Sequence, residues 1–143
     1  MGRVLAIDNG SRRIGIALSD PLRIIAQSFR TVYRNQRDPE RAVCEIAEIV
    51  SENDVDEIVI GAPNRTDGKC GESLRLAEEL GALLYEKTGI QPKYLDERYT
   101  TVIASRYLIE TGASREKRKA VIDQMAAQVI LREYLDNLRS SEN

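Results

Sequence analysis

Val4-Leu5-Ala6-Ile7-Asp8-Asn9-Gly10-Ser11-Arg12-Arg13-Ile14-Gly15-Ile16-Ala17-Leu18 is the stretch on which the fold turns. An apolar run, Val4 to Ile7, closes on Asp8 and leads into Asn9-Gly10, a strong hairpin-turn signal. Arg13 to Leu18 is apolar enough to be the returning strand. Asp8 then stands at the rim of a central hairpin, where a ligand can reach its carboxylate. Such a position suits a metal ion or a phosphate-bearing substrate.

Working outward, Ile24 to Val32 reads as a third strand, entered through Asp20 and Pro21. Asp38-Pro39-Glu40 is a helix start, with an N-cap, proline at the first helical position and an acid in the first turn. Val43, Ile46, Ala47 and Val50 make its apolar stripe. Ile58 to Ile60 is a short buried strand bounded by Gly61 and Pro63, and a loop through Gly68 and Gly71 opens a helix carrying Leu74, Ala77, Leu80, Leu83 and Leu84. Lys93 to Leu95 is a fifth strand ending at Asp96 and Glu97, after which Thr100 or Thr101 can cap a helix to about Glu110. The basic stretch Thr111 to Lys119 reads as a mobile loop before a last helix, roughly Ala120 to Leu138. This order predicts an α/β fold with a mixed five-stranded sheet, an antiparallel first hairpin followed by parallel strands, flanked by helices. No repeat or linker divides residues 1–143, so a single domain is expected.

Histidine is absent, which removes Ser-His-Asp triads, Cys-His pairs and imidazole metal sites. Two cysteines, Cys44 and Cys70, are too few for a thiolate zinc site and read as reduced, structural thiols. Without an apolar run long enough for a membrane span or a signal peptide, a cytoplasmic protein with no membrane partner is expected. The net charge is −2, which argues against nonspecific coating of nucleic acid. Its distribution is uneven: residues 1–41 carry eight Arg against four acids, whereas residues 42–90 carry four bases against eleven acids. A basic face could therefore follow a phosphate backbone on a slightly acidic molecule.

Two further acids stand out. On a helix, Asp123 shares a face with Ala126, Ala127, Ile130 and Tyr134, whereas Arg132, Asp136 and Arg139 take the opposite side. A carboxylate on an apolar face needs an ion pair, a hydrogen bond, a cap or a metal. Glu97 lies just past the apolar end of the fifth strand, and open sheets gather ligands at the carboxyl ends of parallel strands. With histidine absent, Asp8, Glu97 and Asp123 favour an oxygen-only site for hard cations such as Mg²⁺ or Mn²⁺, and the three are expected to converge.

Ala6-Ile7-Asp8-Asn9-Gly10-Ser11-Arg12-Arg13-Ile14-Gly15-Ile16-Ala17 resembles the opening Asp-x-Gly-x-x-Arg-Ile-Gly motif of the YqgF/RuvX family, Holliday junction resolvases also described as pre-16S ribosomal RNA nucleases. Ile60-Gly61-Ala62-Pro63 with Asp67-Gly68 and Gly71 is similar to the family's glycine-rich loop, although Ala62 and Cys70 depart from its commonest pattern. Asp96-Glu97-Arg98-Tyr99-Thr100-Thr101 with Ala104 is similar to its Asp-Glu-Arg-x-Thr-Thr segment. Lys119 with Asp123, Ala126, Ala127, Leu131, Tyr134 and Leu135 matches its last motif. The resemblance spans nearly the whole chain in order. It implies a ribonuclease H-like fold and carries catalytic acids onto Asp8, Glu97 and Asp123.

The implied activity is metal-dependent hydrolysis of phosphodiester bonds in structured nucleic acid, either trimming the 5′ end of pre-16S rRNA or resolving Holliday junctions. Asp8 would bridge two cations, with Glu97 and Asp123 completing the ligand sets. Arg98 with Arg12 or Arg13 would steer phosphates, and Arg115, Lys117, Arg118 and Lys119 would contact a nucleic-acid backbone. Nucleic acid, as pre-rRNA or branched DNA, is the expected partner, together with the precursor of the small ribosomal subunit. Two other classes fit some of the residues. Asp8-x-Gly10 also resembles the phosphate loop of the actin and sugar-kinase superfamily, and a noncatalytic RNA-binding assembly factor could keep the same fold. Oligomeric state stays open: paired cuts at a junction suit a twofold dimer, whereas RNA trimming needs only a monomer.

Overall fold

The structure is a computed structural model that describes residues 2–10, 12–35, 37–63, 70–97 and 115–142. Its strands are β1 (Arg3–Asn9), β2 (Arg13–Ser19), β3 (Ala26–Tyr33), β4 (Val55–Pro63) and β5 (Lys93–Glu97). The helices among the described residues are α1 (Pro39–Glu52), α2 (Cys70–Thr88) and α3 (Arg115–Glu142). One sheet runs in the order β3-β2-β1-β4-β5. β1, β2 and β3 form an antiparallel meander, while β4 joins β1, and β5 joins β4, in parallel. This is the expected mixed α/β architecture. Short turns allow the antiparallel pairs, whereas the parallel pairs need the helical crossovers α1 and α2.

Both faces of the sheet are covered, which is why β1 is apolar without alternation. Leu5, Ile7, Ile14, Ile16 and Val32 pack against Val43, Ile46 and Ile49 of α1 and Leu80 and Leu84 of α2. On the other face Val4, Ala6, Ala17, Ala26 and Val59 meet Ala127, Ile130, Leu131 and Tyr134 of α3. Alanines on the strands and on α3 give this second layer small contact residues, and the bulk of the branched core lies under α1 and α2.

Several boundaries differ from the sequence expectation, each for a physical reason. β3 starts at Ala26 because the N–H groups of Ile24 and Ile25 donate to Asp20 Oδ1, at 2.7 and 2.8 Å, instead of to a ladder. The Ile25 N–H is the chief cause that holds the Asp20 carboxyl below its ordinary value. β4 extends beyond Ile58–Ile60 to Val55 and Pro63, and β5 takes in Asp96 and Glu97, because pairing with neighbouring strands sets their length. Asp38 occupies the N-cap position of α1 with proline following, yet its side chain makes no capping hydrogen bond.

α3 begins at Arg115, so Arg115, Lys117, Arg118 and Lys119 belong to its first turns and not to a loop. Lys, Arg and Glu are good helix formers, and a polar composition does not stop a helix. The helix expected from Thr100 or Thr101 to Glu110 lies outside the described residues, as do residues 64–69. Cys44 is a free, exposed thiol and not a packed one. No helix among the described residues is long and apolar enough to cross a membrane.

Candidate active site

The ladder puts Asp8 opposite Gly15 of β2 on one side and Gly61 of β4 on the other. The same level continues to Thr31 of β3 and Leu95 of β5. Thr31, Gly15, Asp8, Gly61 and Leu95 thus form one row across all five strands. Strands lie about 4.8 Å apart, so the two nearest cross-strand positions to Asp8 carry no side chain. Alternation from Val4 and Ala6, which pack under α3, puts Asp8 on that same face. Asp8 is half-buried. A carboxylate at the carboxyl end of parallel strands has oxygen donors to offer a hard cation.

α3 reaches the same level. Gln124 Nε2 donates to Thr31 Oγ1 at 3.0 Å, and one turn on Gln128 Nε2 donates to the Ala26 carbonyl at 3.0 Å. The helix therefore runs along β3 from the Asp8 row toward the far end of the sheet. Asp123 immediately precedes Gln124, and three and four residues beyond it are the buried Ala126 and Ala127. Glu97 is the last residue of β5, opposite Pro63 of β4. The backbones of all three acids thus occupy one end of the sheet. The side chains of Glu97 and Asp123 lie outside the description, and among the described residues no three His, Cys, Asp or Glu side chains gather.

The turn after Asp8 is held by a residue absent from the sequence reading. Arg34 donates from Nε to the Gly10 carbonyl at 2.9 Å and from its guanidinium to Asn9 Oδ1, while its own N–H donates to the Arg12 carbonyl at 3.0 Å. Burial lowers the Arg34 pKa from its ordinary value, but a guanidinium stays charged at neutral pH. Gly10 is obligatory here: a Cβ would lie 2.3 Å from the Arg13 carbonyl oxygen. Gly10 N–H also donates to the Asp8 carbonyl at 3.1 Å, which ties the turn directly to the acid. In the sequence Arg34 is one of several arginines between residues 30 and 41, with nothing to single it out.

Arg12 is exposed in this turn, and Arg13 opens β2 opposite Tyr33 of β3, so both stand at the Asp8 end of the sheet. Arg98 lies outside the described residues. Arg115, Lys117, Arg118 and Lys119 occupy the amino-terminal turns of α3, the end of the helix that leads to Gln124 and the Asp8 row.

A family model described as "Holliday junction resolvase", RuvX, matches residues 2–137. A protein of Lachnospira eligens named "Putative pre-16S rRNA nuclease" is 45% identical over 136 residues, 94% of this chain and 97% of the relative. One of the same name from Ligilactobacillus salivarius is 44% identical over 137 residues, 95% of this chain and 93% of the relative. Among solved structures, that of Thermus thermophilus RuvC matches with a TM-score of 0.56 at 10% identity, covering 96% of each chain. At that identity the likeness concerns the fold alone, which is that of the ribonuclease H-like resolvases.

Proposed function

The chain belongs to the RuvX family of Holliday junction resolvases, and from that premise we propose that it is a metal-dependent endonuclease whose site is built from Asp8, Glu97 and Asp123. The observation that carries this reading is the row that sets Asp8 between Gly15 and Gly61, with Gln124 of α3 bonded to Thr31 in the same row. Glu97 closes β5 at the same end, and Asp123 precedes Gln124, so the backbone positions of the three acids are compatible with one site.

The donor set suits Mg²⁺ or Mn²⁺: all oxygen, no histidine, and a half-buried carboxylate with glycine on both flanks. Divalent cations bound there would activate water for attack on phosphorus and stabilise the leaving oxygen. Asp8 would hold both ions, with Glu97 and Asp123 completing their ligands. Arg34 keeps the Asp8 turn in one geometry. Arg12 and Arg13, with Arg98 and the basic first turns of α3, would bind the substrate's phosphates and set the scissile bond over the acids.

Structured RNA is the preferred substrate, because the relatives at 45% and 44% identity carry the pre-16S rRNA nuclease name. On this reading the chain acts as a single cytoplasmic domain on the 5′ end of the precursor of the small ribosomal subunit. A four-way DNA junction is the second substrate to be compared. The test is cleavage of a pre-16S rRNA fragment and of a synthetic junction, with Mg²⁺, with Mn²⁺ and with EDTA. Cleavage that requires the metal and disappears in Glu97→Gln and Asp123→Asn is expected. Undiminished cleavage in EDTA or in either variant would overturn the metal assignment, and specific RNA binding without any cleavage would make the chain a noncatalytic assembly factor.

A further inference from the structure

Tyr33 ends β3 and is 61% exposed. No ring contact or cation–π contact to it exists among the described residues, although the neighbouring Arg30 lies over Phe29. The ring borders a cavity of about 630 Å³ lined by Tyr33, Arg34, Asn35, Arg37, Arg41 and Glu45, between the end of β3 and the start of α1. Three guanidinium groups face a single carboxylate there, and Glu45 is already 3.8 Å from Arg30. Arg37 and Arg41 have no carboxylate within salt-bridge distance among the described residues.

An exposed aromatic face beside arginines without carboxylate partners is the chemistry of single-stranded nucleic acid: bases stack on the ring and phosphates meet the guanidinium groups. A free phosphate ion would use the arginines but not the ring. The cavity is also tied to the candidate active site, because Arg34 lines it and at the same time holds the Asn9-Gly10 turn. Tyr33 lies two strands over from Asp8 and two residues beyond its row, roughly 12 Å by strand spacing and rise. At about 3.4 Å per stacked nucleotide, a few nucleotides of one strand span that gap.

We propose that this cavity is a strand-binding subsite, in which an unpaired nucleotide of the substrate stacks on Tyr33 and its flanking phosphates rest on Arg37 and Arg41. The proposal rests on the nuclease reading for its substrate, but Tyr33, Arg37 and Arg41 are separate from the acids and from the basic residues given phosphate-binding roles above. It supplies a contact for a single-stranded flank next to the cleavage point, as an RNA precursor has and a fully paired junction arm lacks.

The test uses the full chain in magnesium-free buffer with EDTA, so that nothing is cut, and a short unstructured RNA carrying 2-aminopurine as the probe. Tyr33→Ala should weaken binding about fivefold to a hundredfold and remove the quenching of 2-aminopurine by stacking, while Tyr33→Phe retains both. In the double variant Arg37→Gln with Arg41→Gln, the slope of log affinity against log salt should fall by about 1.4, at about 0.7 per phosphate contact to a single strand. Circular dichroism confirms the fold of each variant, and the arginine pair tests the subsite independently should Tyr33→Ala not fold. Parental affinity in Tyr33→Ala, or displacement of the probe by inorganic phosphate equally from parent and Tyr33→Ala, would overturn the subsite. Cleavage by the parent in Mg²⁺ is measured alongside. A parent that cuts while its binding ignores Tyr33 loses only the subsite; one that binds through Tyr33 and cuts nothing loses only the nuclease assignment.

Discussion

The two ends of the same sheet carry their charges in different settings. At the amino end of β4, Glu57 accepts a hydrogen bond from Tyr134 Oη at 2.6 Å and lies 3.5 Å from Arg23 and 3.6 Å from Lys93. Arg23 also pairs with Asp56 and donates to the Gly2 carbonyl at 3.0 Å, and Lys93 donates to Tyr134 Oη at 3.0 Å. At the carboxyl end, Asp8 has glycine at both neighbouring positions of its row, and the nearby Arg34 spends its donors on the turn. β1, β4 and α3 contribute to both ends. One end uses its charges to fasten strands to a helix; the other sets an acid between two glycine positions, with an arginine holding the turn that follows it. The proposed metal site lies at the second end.

The largest expected contrast is between Asp8→Asn and Glu57→Gln. Asp8→Asn should lower metal-dependent cleavage by orders of magnitude with little loss of stability, since the amide keeps the shape but loses the charge that a cation needs. Glu57→Gln should leave cleavage alone and cost about 1 kcal/mol in urea unfolding, a modest loss because the pairs are partly exposed. Near-parental cleavage by Asp8→Asn would break the comparison at once.

Arg34→Ala should fall between these extremes. Losing its hydrogen bonds to Gly10 and Asn9 releases the turn, so kcat should drop by about a hundredfold, the scale of a misplaced reacting group, with KM changing less. Stability should fall by about 1–3 kcal/mol from the unsatisfied partners. Lysine lacks the planar fork and should not rescue the variant. An Arg34→Ala enzyme with parental kcat would show that the turn holds its shape without the brace.

The smallest effect is a pH dependence confined to the amino end. The hydrogen bond that Lys93 donates to Tyr134 Oη, and then the charge of Glu57, raise Lys93 above its ordinary 10.5. Burial, and then the bond to Glu57, raise Tyr134 above 10.0. Folded values above the unfolded ones mean that this stabilisation is complete below about pH 10 and is lost as the pH rises through the folded values. The thermal midpoint should be level near neutrality and decline beyond about pH 10, and Tyr134→Phe should soften that decline. An equally steep decline in Tyr134→Phe would move the alkaline sensitivity elsewhere.

Much of the fold was legible because periodicity and punctuation are local. The unbroken apolar β1, the Asn9-Gly10 turn, the Asp20-Pro21 entry and Pro39 at a helix start each declare themselves within a few residues. Strand ends were less legible: Asp96 and Glu97 look like a loop by composition and are strand because Ala62 and Pro63 pair with them. The start of α3 was missed for the converse reason, since basic residues resemble a loop in sequence yet continue a helix easily.

The sequence by itself determined the fold class and the family and proposed three acids on three segments as the site, because apolar patterns, turn residues and short motifs are properties of neighbouring positions. Only the tertiary structure decided that Gly15 and Gly61 flank Asp8, that Arg34 locks the turn beside it, and that Tyr33, Arg37 and Arg41 border one cavity. Those residues lie far apart along the chain, and what brings them together is cross-strand register and the seating of helices on the sheet. Register is a collective choice of every pair in the ladder, set by the burial of both faces at once, and no local stretch of sequence contains it.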